Sequence, residues 1–139
     1  MSTIDIRVDL LIVILVPIYT NMQLDISKER AIKDVQHDFN NRYPFLKLEF
    51  YKTDDIPLVV KKHLSQSASL KSAGLNKDGF IELKDEMKVG DLEKIFEQFG
   101  LSVQVSRKAG DFWLQTSMTD SWSLGKQNEY GKEISAAPR

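Results

Sequence analysis

One nine-residue face is spelled twice in this chain of 139 residues. "AIKDVQHDF", from Ala31, and "KVGDLEKIF", from Lys88, share a β-branched residue, an Asp two places on, an aliphatic residue next, and a closing Phe. Ile32 aligns with Val89, Asp34 with Asp91, Val35 with Leu92 and Phe39 with Phe96, all at a spacing of 57. The apolar members recur at helical intervals and form one stripe on each helix, with Ile95 and Phe99 beside the second. Stripes of that width have to be buried, so the fold must offer two helices a shared surface.

The flanking segments match as well. "MQLDIS" stands before the first helix and "FIELK" before the second, so that Leu24 and Ile26 correspond to Ile81 and Leu83 at the same spacing of 57. After the helices come "PFLKLEFYK", with Leu46, Leu48 and Phe50 on one side, and "GLSVQVSRK", with Leu101, Val103 and Val105 on one side; here Gly100 shortens the offset to 55. Each unit therefore reads strand–helix–strand. A β-α-β crossover is right-handed almost without exception. Two interleaved units then give an α+β, ferredoxin-like two-layer sandwich, with both helices on one face of a common sheet. Common ancestry of the halves is not required, because any two helices doing this work need similar stripes.

"VSRKAGDFWLQTSM" carries a hairpin signal and predicts a fifth strand, with Ala109-Gly110 at the turn and Lys108 opposite Asp111. That register sets Val105 against Leu114 on the core face and Ser106 against Trp113 on the other. Between the units, Pro57 with Leu58, Val59, Val60 and Leu64 suits a short extra helix, followed by a polar loop, "SQSASLKSAGLNKDG". A further short helix is expected within residues 116–131, capped by Thr119, Asp120 or Ser121 and ended by Gly131. Residues 132–139 read as a disordered tail.

Residues 1–21 differ in texture. Their unbroken apolar run from Leu10 to Tyr19 contains Pro17 and is too short for a membrane-spanning helix, which needs about 20 apolar residues. The charge and small-residue pattern of a signal peptide is missing. A leader, an extra strand and a start-site artefact remain open for this segment, and residues 22–131 are expected to form a single domain.

Nineteen basic against twenty acidic residues, a net charge of −1, do not give the basic excess of a dedicated nucleic-acid binder. An RNA-binding sheet would also want aromatics on its central strands, where this chain has Asp25 and Glu82. Cysteine is absent, which removes disulfides, thiolate nucleophiles and Cys-ligated metals and fits a cytoplasmic setting. "GLNKDGFIEL" has Gly74 and Asp85 where a calcium loop needs its first acidic ligand and its bidentate Glu, so it reads as a turn. His37 and His63 share no ligand spacing, and "SLGK", from Ser123, lacks the companion motifs of a serine–lysine nucleophile. No catalytic, metal or cofactor site is expected. The side chains that stand out as binding candidates are Tyr51, Trp113, Asp120, Trp122 and Gln127, aromatics and hydrogen-bonding groups gathered near the fifth strand and residues 116–131.

"YPFLKLEF", from Tyr43, and the "WL-x-T-x-x-T-D-x-W-x-L-x-x-Q-N"-like string from Trp113 to Asn128 resemble small uncharacterised bacterial proteins of the Bacteroidetes. The resemblance covers residues 22–131 and implies no activity. Composition and motifs together lead to the expectation of a non-enzymatic interaction or regulatory module, bound to a protein partner or to itself through an exposed edge strand. The alternative is a small-molecule binder or enzyme with a pocket at the fifth strand. Neither nucleic acid nor membrane is expected as a partner.

Overall fold

The computed structural model describes residues 22–52 and 63–136. Expectations for residues 1–21, the Pro57 helix and residues 137–139 lie outside these. The chain is α+β. Strands β1 (Met22–Ile26), β2 (Leu46–Tyr51), β3 (Gly79–Leu83), β4 (Ser102–Ala109) and β5 (Phe112–Gln115) alternate with helices α1 (Ile32–Arg42), α2 (Leu70–Ala73), α3 (Val89–Gln98) and α4 (Leu124–Ala136), in the order β1-α1-β2-α2-β3-α3-β4-β5-α4. A 3₁₀ turn, Ser117–Thr119, precedes α4. Among the described residues no helix is long and apolar enough to cross a membrane.

Both stripes are buried in one core: Phe39 and Phe96 are each 0% exposed, alongside Ile32, Val35, Val89 and Leu92. The strand alternation holds too, with Leu24, Ile26, Leu46, Leu48, Phe50, Ile81, Leu83, Val103 and Val105 all inside. Strand pairing departs from the expected common sheet. Antiparallel β1 and β3 form a two-stranded sheet, while β2, β4 and β5 form a separate antiparallel one in that order. A ferredoxin-like sheet would place β3 against β2, but that edge of β2 is taken. Asn40 Nδ2 donates to the Leu46 carbonyl at 3.0 Å, Gln36 Nε2 to that of Leu48 at 2.8 Å, and the Leu64 amide to that of Phe50 at 3.0 Å. The opposite edge of β2 goes to β4.

In each sheet, one pair of equivalent residues from the two units lies face to face, near the centre of the register. Leu24 pairs with Ile81, and Glu49 pairs with Gln104, the offsets being the 57 and 55 of the sequence. Swapping the units thus carries each strand pair onto itself, which for antiparallel strands is a local two-fold relation. The correspondence extends to the helix starts. "SASL", from Ser67, and "SWSL", from Ser121, form straps over the starts of α1 and α3. The amides of Ile32 and Lys33 donate to the carbonyls of Ala68 and Gln66 at 2.9 Å, and those of Val89 and Gly90 to the carbonyls of Trp122 and Asp120 at 3.0 and 2.8 Å. Helix starts leave N–H groups without intrahelical partners. The straps supply acceptors, which explains why Ala31 and Lys88 serve at the N-caps without a side-chain cap bond.

Three local expectations are corrected. The hairpin turns at Gly110-Asp111, with Ala109 opposite Phe112. A two-residue turn of this kind needs positive φ at its first position, which Gly110 adopts (φ 66°) and Ala109 would resist. Leu114 consequently lies opposite Arg107 instead of Val105, and Trp113 opposite Lys108 instead of Ser106. The polar loop carries α2, capped by Ser69 Oγ accepting from the Ser72 amide at 3.1 Å, and buries Leu70, Ala73 and Leu75. The tail is helical as far as Ala136. Gly131 does not end α4 but lets it approach the sheet, since a Cβ there would lie 3.0 Å from both Arg107 Cγ and Phe45 Cβ. Ser135 Oγ accepts from the Gly110 amide at 3.2 Å.

Because both stripes sit in one core, Phe39→Ala and Phe96→Ala should each lower stability by about 3–5 kcal/mol in urea denaturation. A loss below about 1 kcal/mol at either position would contradict a shared core.

Candidate functional site

The five candidate side chains fall into three neighbourhoods. Tyr51, at the end of β2, is buried, and its hydroxyl donates to Glu49 Oε2 at 2.8 Å while accepting from Gln115 Nε2 at 3.0 Å. His63 Nε2 lies 3.1 Å from the same Glu49 oxygen, and its ring centroid is 4.6 Å from that of Tyr51. Burial, and then the hydrogen bond to Glu49, push the Tyr51 hydroxyl up to about 12. Trp113 stands on the outward face of β5 with Lys47 Nζ 5.7 Å from its ring. A shallow cleft of 160 Å³ lies here, lined by Gln36, Lys47, Glu49 and His63 among others.

Trp122 and Gln127 belong to a second neighbourhood, centred on Arg107. Gln127 is fully buried; its Oε1 accepts from Arg107 Nη1 at 2.7 Å and its Nε2 donates to the Thr119 carbonyl and hydroxyl at 2.8 and 2.7 Å. The Arg107 guanidinium lies 4.8 Å from the Tyr130 ring centre and 6.0 Å from that of Trp122, and these two rings meet edge to face at 5.5 Å. Such packing fastens α4 to β4 and leaves little of Gln127 for a ligand.

Asp120 occupies a third position. Its carbonyl accepts from the Gly90 amide, and its carboxylate edges a cleft of 290 Å³ between α3, β4 and the strap. Lys88, Asp91, Glu93, Lys94, Glu97, Ser102, Val103 and Gln104 line the same cleft. Of the five candidates, only Asp120 reaches it. Among the described residues no three His, Asp or Glu side chains are placed to hold a metal ion. Asp78 Oδ1, in the calcium-like turn, accepts from the Lys28 amide at 2.8 Å. Asp85 accepts from Arg42 at 2.6 Å and from the Tyr43 hydroxyl at 2.8 Å. Burial, with that hydrogen bond second, holds the Tyr43 hydroxyl well above the ordinary tyrosine range.

Sequence reasoning missed the exposure of β5. All four of its residues are exposed, Phe112 at 70% and Leu114 at 49%, and Met118 just beyond stands at 97%. The displaced turn is responsible, because it moves Leu114 off the core residue Val105 and out to Arg107.

Alkaline titration tests the Tyr51 environment. A raised folded-state value means stability from this group that is complete below about pH 10 and lost as pH climbs toward 12, since the unfolded chain releases its proton first. Tyr51→Phe should flatten the fall in stability across that window and remove one late-ionising phenol from the absorbance at 295 nm. An unchanged titration curve would contradict it. No protein-family model matches this chain, and no match to it is found among curated proteins or among solved structures.

Proposed function

We propose that this chain is a non-enzymatic interaction module that associates with itself through β5. One observation carries the reading: an edge strand whose residues, Phe112, Trp113, Leu114 and Gln115, are all exposed and all uncharged. Natural edges are usually blunted by charge, proline or a bulge, and an unprotected one is a template for another strand. A second copy suits it because a two-fold contact demands a self-complementary patch. Antiparallel pairing centred on Trp113 sets Phe112 of each copy against Leu114 of the other on one face. On the opposite face the two Trp113 rings meet, and no like charges oppose each other within the strand. The matched backbone registers of the two units support a further reading of the chain as an internal repeat, in which one unit already grips its duplicate in the same antiparallel manner.

Four residues of strand cover a small area, so the contact belongs to the weak class below about 1,200 Å². Light scattering on the full chain should show monomers passing to dimers as concentration rises from about 10 μM to about 1 mM. Leu114→Lys should hold the chain monomeric throughout that range with its fold intact. A wild-type chain that stays monomeric at the upper concentration removes the proposal.

A further inference from the structure

The two units diverge in one chemical respect, at the outer edges of β2 and β4. On β2, the amide side chains of Gln36 and Asn40 reach down from α1 and donate to the carbonyls of Leu48 and Leu46. At the equivalent positions of α3, 57 residues on, stand Glu93 and Glu97, whose carboxylates have no hydrogen to give. Glu93 Oε2 instead accepts from the Val105 amide at 2.9 Å. That bond also fixes which way the strand edge points. In an antiparallel strand alternate residues present their N–H and C=O to the same side. Val105 faces away from β2, toward Glu93 and toward Thr116, whose amide and hydroxyl donate to its carbonyl at 3.2 and 2.9 Å. Val103, two residues earlier, faces the same way, but β5 parts from β4 after Gln115 pairs with Ser106. Among the described residues nothing pairs with its backbone groups, and Val103 lines the 290 Å³ cleft, where Glu93, Glu97, Asp91 and Asp120 stand against Lys88 and Lys94 for a net charge of −2.

We propose that this cleft receives an extended peptide segment, which adds to β4 at Val103 and places a lysine or arginine side chain against the carboxylates of the cleft that Asp91, Glu97 and Asp120 line. The main chain of the segment gives an N–H to the Val103 carbonyl and takes the Val103 N–H in return, the pairing that β5 makes farther up the same edge. Acceptors dominate the wall of the cleft, so the incoming side chain has to be a donor. The excess of carboxylates selects a cationic donor and repels an acidic peptide or a phosphate backbone. Gln36 and Asn40 seal the matching edge of the first unit, so binding is confined to the second. The site is separate from the outer edge of β5 and does not depend on self-association.

The probe is a blocked pentapeptide, TVKVT, titrated into the full ¹⁵N-labelled chain. TVKVT should shift the Val103 amide resonance and slow its hydrogen exchange. TVEVT, and TVKVT with N-methylated backbone amides, should each bind more weakly by on the order of tenfold. Glu93→Gln with Glu97→Asn installs the amide pair of α1 and should abolish the Val103 shift while the spectrum stays dispersed. The peptide series reads out on the unaltered chain, so the test survives a double variant that does not fold. Any one of four results overturns the proposal: Val103 unmoved by millimolar TVKVT, equal binding of the N-methylated peptide, full binding by the folded double variant, or butylamine alone reproducing the Val103 response at equal affinity.

Discussion

Backbone hydrogen-bonding capacity along the outer edges of β2 and β4 is the demand to which the rest of this structure adjusts. Each strand gives one edge to the other. The remaining N–H and C=O groups on the far edges need partners of their own, because a buried group left unpaired costs about as much as a lost hydrogen bond. On β2 the carbonyls of Leu46, Leu48 and Phe50 find theirs in Asn40, Gln36 and Leu64, and with these in place no room remains for β3. The division into two sheets follows from it. On β4 the same need is met by β5, Thr116 and Glu93 as far as Val105, where, among the described residues, the provision ends.

Much of this architecture was legible in the residues. Stripes at helical period identified α1 and α3, and alternation assigned the inward face of every strand in the two units, because both signals depend only on neighbours in sequence. Pairing between strands was less accessible. Which edge of β2 is free depends on where Gln36 and Asn40 point, and that depends on how α1 lies against its strand. The hairpin shows the same limit in miniature: Ala109-Gly110 and Gly110-Asp111 are both two-residue turns by composition, and only the sign of φ at the first position separates them. Helix α4 was expected to stop at Gly131 because glycine commonly closes helices. Here its missing side chain serves close approach to Phe45 and Arg107.

The candidate site was legible in parts. Aromatic and amide side chains in residues 116–131 do carry specific contacts, but Trp122 and Gln127 spend them on Arg107 and Thr119, inside the protein. Tyr51 likewise serves a network with Glu49 and Gln115. No composition rule distinguishes a polar residue that joins two elements from one that awaits a ligand, since both need donors and acceptors at short range. The informative signal lay in a comparison the sequence did permit, namely Gln36 and Asn40 against Glu93 and Glu97 at the spacing of 57. Its meaning required knowing that these positions overhang a strand edge.

Matched strand registers and helix starts with different edge chemistry constitute an asymmetry that packing does not require. Both helices bury matching stripes, each start is held by its own strap in the same manner, and each strand pair meets at one pair of equivalent residues. If sealing the β4 edge were all that stability demanded, glutamine and asparagine would serve α3 as they serve α1. Glu93 instead accepts from the Val105 amide, and Glu97 lines the same cleft as Val103. Where the Glu97 carboxylate and the Val103 carbonyl share that cleft, both call for a donor. Water can supply one at an open cleft, but a cationic side chain supplies both the hydrogen and the charge, and so gains more from the site than solvent does.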